Sequence, residues 1–150
     1  MKARIAVRAD GKIVVCGTDD TALNNQMLVV RYTSDGVLDP SFSGDGKLIV
    51  PIGFVPDNRG NAVLLQPDNM ILVAGTENTM DGYRMTVVRL QSNGSLDASF
   101  GTNGRATITE TDLASEASSM VLLADGSVVL GGSGFDQVSS PLVAKVNAWG

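Results

Sequence analysis

Short runs of aliphatic and β-branched residues alternate along this chain with clusters of Gly, Asn and Asp. In its middle third the runs fall at 62–66, 71–75, 85–90 and 105–109. Val, Ile, Leu and Thr dominate them, and their lengths suit strands of a half-buried pleated surface. No segment keeps apolar residues at helical spacing over three turns, so the pattern predicts essentially no helix. The pairs Asp10-Gly11, Asp35-Gly36, Asp68-Asn69, Asn93-Gly94 and Asp125-Gly126 predict tight turns, because these residues tolerate positive φ. Strands are expected near 3–8, 12–17, 27–33 and 47–53, then near 60–66, 70–75, 84–91 and 105–109. Three more are expected near 118–124, 127–132 and 141–147.

The pattern repeats. Asp10-Gly11-Lys12-Ile13-Val14-Val15-Cys16-Gly17 returns as Asp68-Asn69-Met70-Ile71-Leu72-Val73-Ala74-Gly75 and as Asp125-Gly126-Ser127-Val128-Val129-Leu130-Gly131-Gly132, at spacings of 58 and 57. Val29-Val30-Arg31-Tyr32 returns as Val87-Val88-Arg89-Leu90 and Val143-Ala144-Lys145-Val146. Gly36-Val37-Leu38-Asp39-Pro40-Ser41-Phe42 returns as Gly94-Ser95-Leu96-Asp97-Ala98-Ser99-Phe100. Four-stranded units at such a period are the signature of propeller blades. The expected fold is therefore an all-β propeller of two and three-quarter four-stranded blades per chain, a partial ring. It reads as a single repeat domain, 1–150, with blade 1 at about 3–53, blade 2 at about 60–109 and an incomplete blade 3 at about 118–147.

Asp-Gly-Lys-Ile-Val-Val-x-Gly, Val-x-Arg-Tyr and Asp-Gly-x-Leu-Asp-x-Ser-Phe-x-x-x-Gly together resemble the bacterial delta-60 repeat, over nearly the whole chain. Phe100-Gly101-Thr102-Asn103-Gly104 fits the last part better than Phe42-Ser43-Gly44-Asp45-Gly46, and the third copy stops before the Leu-Asp-x-Ser-Phe segment. The resemblance implies a propeller fold and large secreted or cell-surface bacterial proteins. It supplies no catalytic residues.

A ring of this kind closes with four to eight blades. If on the order of 500 Å² of apolar blade face met water, the cost at about 25 cal/mol/Å² is roughly 12 kcal/mol. A whole domain is stable by only about 5–15 kcal/mol. Two resolutions are expected: a homodimer closing a six-bladed ring, which is favoured for a natural product of this length, or the remainder of a longer propeller.

Composition narrows the chemistry. The chain has no histidine, which removes Ser-His-Asp and Cys-His nucleophile pairs, His-based zinc sites and the usual general base near neutral pH. A net charge of −5 argues against a nucleic-acid or anionic-membrane partner. No apolar run is long enough for membrane insertion, and the first residues lack a signal-peptide stretch, as expected of a cytoplasmic protein or of a piece of a longer one. The single cysteine, Cys16, stands where other copies have Ala74 and Gly131, as a packing thiol in a small slot would.

The segments that do not repeat are 18–26, 54–59, 76–84, 110–116 and 133–140, expected as second-to-third-strand and blade-to-blade connections gathered on one rim. They hold nine acidic residues and only two basic ones, Arg59 and Arg84. Asp19, Asp20, Asp57, Glu77, Asp81, Glu110, Asp112 and Asp136 are the candidate ligand-face residues, with Glu116 beside them; the bland alternative is ordinary solvated loops. No cofactor is expected. Calcium is the alternative, from Asp19-Asp20, Asp57-Asn58 or the 43–46 turn, although none has the dense spacing of a calcium loop.

Arg31, Arg89 and Lys145 recur in the third strand and Asp39 and Asp97 in the turn after it. They are read as intrablade ion pairs rather than an anion-binding ring, and Phe42 and Phe100 as plugs on that connection. Asn93-Gly94-Ser95 is read as a turn rather than a glycosylation acceptor, and 131–134 as a strand end rather than a phosphate cradle. The expected function is a non-enzymatic scaffold or binding module contacting a protein or glycan. The alternatives are a structural segment of a larger surface protein and a carboxylate enzyme using Glu110 and Asp112.

Overall fold

The computed structural model describes residues 4–20, 25–53, 55–109, 114–136 and 138–150; the side chain of Asp136 is outside that description. The described chain is all β, without helix. Blade 1 holds β1 (Arg4–Val7), β2 (Ile13–Asp19), β3 (Gln26–Tyr32) and β4 (Lys47–Ile49). Blade 2 holds β5 (Arg59–Leu65), β6 (Ile71–Thr79), β7 (Gly82–Leu90) and β8 (Arg105–Thr107). Blade 3 has β9 (Ala114–Leu122), β10 (Val128–Asp136) and β11 (Val138–Val146). Each sheet is an antiparallel meander in chain order, so the fold is two and three-quarter propeller blades, a ring left open.

All eleven expected strands are present, with one systematic difference. Segments 76–84 and 133–140 were expected as connections, yet the ladder runs through them. Thr79 pairs with Gly82 around a two-residue tip at Met80 and Asp81, and Asp136 pairs with Val138. Polar residues there look loop-like in sequence, but Thr76, Asn78 and Tyr83 continue the register of a long hairpin whose backbone bonds do not require apolar side chains. The fourth strands are shorter than expected, because after Ile49 the chain turns inward to bury Val50 and Ile52.

Alternation places each blade's two faces in different cores. Val14, Cys16, Met27 and Val29 on the front of blade 1 pack with Val63, Ile71, Val73, Val88 and Leu90 on the back of blade 2. Leu72, Ala74, Met85 and Val87 on the front of blade 2 pack with Met120, Val128, Leu130 and Val146 of blade 3. Cys16 and Ala74 are completely buried at matching positions, which is why a small side chain recurs there. Gly75, at the end of the repeated Asp-Gly motif, has another reason. The β5 bulge between Gly60 and Ala62 brings the Arg59 carbonyl onto its Cα, where a β-carbon would overlap that oxygen. At Gly132 the carbonyl of Glu116 does the same beside a β9 bulge at Ser118.

Candidate functional site: the blade junctions and the loop face

The recurring Arg and Asp form the expected intrablade pair. Arg31 Nε donates to Asp39 Oδ2 at 2.8 Å, and Arg89 Nε to Asp97 Oδ2 at 2.7 Å. On its other oxygen each aspartate accepts from the serine two residues on: from the Ser41 hydroxyl at 2.6 Å and amide at 3.0 Å, and from the Ser99 hydroxyl at 2.7 Å and amide at 3.1 Å. The guanidinium lies over the phenylalanine that follows, 4.9 Å from the Phe42 centroid and 4.6 Å from that of Phe100. Ser41 and Lys12 hold the Asp39 carboxyl well below the usual range against the opposing pull of burial. At Asp97 burial pulls upward, but Ser99 and Arg89 together leave it lowered.

The same groups reach further than one blade. Arg31 Nη1 donates to the carbonyl of Ser92 in blade 2, and the Ser43 amide donates to the carbonyl of Asn93 at 2.8 Å. Gly94, at φ +95°, lies flat against the Phe42 ring. One repeat on, Arg89 Nη1 donates to Ala148 O at 2.9 Å and the Gly101 amide to Trp149 O at 2.6 Å, with Gly150 against the backbone of Phe100 and Gly101. Each junction is thus latched. At both junctions an Arg and the amide after the Phe seize the turn that follows the third strand of the next blade, and at the first the Phe42 ring covers that turn as well. The sequence announces the intrablade pair but not this second reach. The missed signal was that the turn glycine, Gly36 or Gly94, recurs in step with the Phe of the copy before it.

Among the described residues, two faces lack such a neighbour. On the back of blade 1, Ile5 and Val7 stand where Val63 and Leu65 stand in blade 2, and are 65% and 63% exposed. On the front of blade 3, Val121 and Val143 match Leu64 and Val87 and are 59% and 70% exposed. Among the described residues Lys145, in place of the arginine, makes only an exposed 3.5 Å contact with Asp125.

The loop-face candidates separate. Glu77 lies within β6 and is buried, its oxygens each 2.7 Å from Arg105 Nη1 and Thr107 Oγ1, so it is not a rim carboxylate. Asp57 is a structural hub. It accepts from Arg59 Nε at 2.9 Å and Nη2 at 2.7 Å, from the Tyr83 hydroxyl at 2.7 Å and from Asn25 Nδ2 at 2.9 Å. The Arg59 hydrogen bonds, helped by Tyr83 and Asn25 and opposed by burial, lower its pKa to about 2. Arg59 also reaches Glu116 of blade 3 at 3.6 Å.

Asp20 and Asp81 are exposed, and Asp19 is half-buried at the end of β2. Glu110 and Asp112 lie outside the described residues, as does the side chain of Asp136. Among the described residues no three Cys, Asp or Glu side chains gather as a metal cluster.

Comparison with curated proteins returns no match. A family model described as a domain of unknown function (DUF5122) β-propeller matches residues 8–42 and 66–100. Each matched stretch runs from the turn before the second strand of a blade to the latch phenylalanine, so blades 1 and 2 of this chain are repeats of the delta-60-like β-propeller family.

Proposed function

We propose that this chain is a non-enzymatic β-propeller scaffold whose working surfaces are its two uncovered blade faces, and that further blades of the same kind cover them. What supports the reading is one correspondence. Ile5 and Val7 on one open face, and Val121 and Val143 on the other, hold the positions that are covered at both junctions inside the chain. The two open faces are therefore complementary halves of an interface the chain already makes twice. Exposed apolar area of this kind favours association by about 25 cal/mol per Å² covered. A second copy completing a six-bladed ring, or the remainder of a longer propeller, meets the requirement.

Gel filtration with light scattering tests it, alongside melting at several concentrations. The chain should associate at micromolar concentration, with a melting temperature that rises with concentration. Ile5→Asp and Val143→Asp should each weaken that association. A monodisperse monomer melting independently of concentration contradicts the reading.

A second reading places a protein or glycan on the loop face. It draws on Asp20, on Asp81 and on Met80, which is 91% exposed at the β6–β7 tip. Array binding abolished by Asp81→Asn and Met80→Ser would support it; unchanged binding, or none, removes it.

A further inference from the structure

The latch has a third acceptor. The turn at 33–36 follows the third strand of blade 1 just as 91–94 and 147–150 follow theirs, and is built in the same way. The Thr33 amide bonds Val37 O, as Gln91 bonds Ser95 O, and the Gly36 amide bonds Thr33 O, as Gly94 bonds Gln91 O and Gly150 bonds Asn147 O. Gly36 has φ +80°, close to the +95° of Gly94.

The surroundings differ. Gly94 is buried under Phe42, whereas Gly36 is exposed, with open space where a β-carbon would project. Ser92, Asn93, Ala148 and Trp149 all accept a latch hydrogen bond through their carbonyls. Among the described residues no donor reaches the matching carbonyls of Ser34 and Asp35.

We propose that the turn at 33–36 is a recognition socket for one further repeat of the same family, which inserts a third-strand arginine and the phenylalanine of an Asp-x-Ser-Phe segment. This rests on the reading of the open faces as assembly surfaces and names what must cover one of them. The occupant's guanidinium and amide follow from the two latches already made, and its ring from the contact of Phe42 with Gly94. A guanidinium donates to Ser34 O, the amide after the phenylalanine donates to Asp35 O, and the aromatic ring lies on the flat Cα of Gly36.

A second copy of this chain has nothing free to insert. Its Arg31 and Phe42 are engaged with blade 2, its Arg89 with blade 3, and Phe100 is buried in the core shared with blade 3. In blade 3 Lys145 stands where the arginine is needed. Residues 1–150 of a second copy can cover the apolar sheet but not fill the socket.

The experiment adds one repeat, a copy of residues 59–115, ahead of Met1 of the intact chain, and follows the Gly36 α-protons by NMR. Gly94, under the Phe42 ring, is the internal standard for a ring-current shift. In the chain alone Gly36 should resonate as an exposed glycine. In the extended chain it should move upfield toward Gly94, and Phe100→Ala made in the added repeat should reverse the movement.

An added repeat that covers Ile5 and Val7, as read by solvent paramagnetic broadening, but leaves Gly36 unmoved overturns the socket while sparing the assembly reading. An added repeat that neither folds nor covers them overturns both. A Gly36 signal already shifted in the unextended chain at high concentration assigns the socket to a second copy and overturns the inference.

Discussion

Phe42 of blade 1 lies flat on Gly94 of blade 2, its Cε2 3.0 Å from where a β-carbon on that glycine would stand. The ring is completely buried, with the Arg31 guanidinium over its plane. The contact ties a side chain placed by one repeat to a backbone conformation placed by the next, so the burial of neither residue is explained inside its own blade.

Replacing that glycine separates the two demands on it. Gly36→Ala should cost about 1–2 kcal/mol, the strain of a left-handed backbone carrying a β-carbon. Gly94→Ala carries the same strain and a collision with Phe42, so it should cost about 1–3 kcal/mol more. Urea unfolding of the two variants checks this; equal losses would mean the ring moves aside freely.

Gly75→Ala should be among the most damaging single-methyl additions in the chain, costing on the order of 3 kcal/mol. The obstacle is the backbone carbonyl of Arg59 at the β5 bulge, and no rotamer change relieves it. Circular dichroism in denaturant would show the loss. A near-neutral result would mean that the bulge between Gly60 and Ala62 can slide.

Acid should loosen the Asp57 hub. Its folded pKa of about 2 lies below the ordinary value of 3.8, so at acid pH the carboxyl binds fewer protons when folded than when unfolded. The stability this supplies is complete above about pH 5, declines as pH falls below 3.8 and is gone once pH has passed through about 2. Asp57→Asn should destabilise the chain by about 1 kcal/mol at neutral pH and flatten the acid limb of its stability profile. An unchanged acid limb would assign that limb to other carboxylates, Asp39 and Asp97 first.

Cys16 should be silent toward thiol reagents in the native state. It is completely buried, and burial pushes its pKa up to about 11, so thiolate is scarce at pH 8. Labelling with a chromogenic disulfide should proceed at the rate of unfolding and become fast in denaturant. Prompt native labelling would show that the core between blades 1 and 2 opens locally.

Much of this was legible before any coordinates. The recurrence of Asp10, Asp68 and Asp125 set the repeat, alternation set the strands, and Arg31 with Asp39 announced an ion pair that is present. Glu77 was the instructive exception. In sequence it sits among Asn, Thr and Asp and reads as a loop carboxylate, yet it pairs with Arg105 and Thr107, 28 and 30 residues away. Asp57 likewise reads as a ligand-face candidate, yet it is held by Asn25, just ahead of β3, and by Tyr83 of β7.

The amino-acid order by itself determined what is local and periodic: which residues form strands, where the chain turns, and that one unit recurs. Those properties follow from side-chain shape, alternation and backbone preference, which act over a few residues. Tertiary structure decided which carboxylates are spent, that Phe42 seats on Gly94 rather than only on its own blade, and that the turn at 33–36 has an acceptor geometry with none of the described residues upon it. These depend on how one blade is rotated against the next, and that rotation is fixed by packing between faces whose partners are almost sixty residues apart.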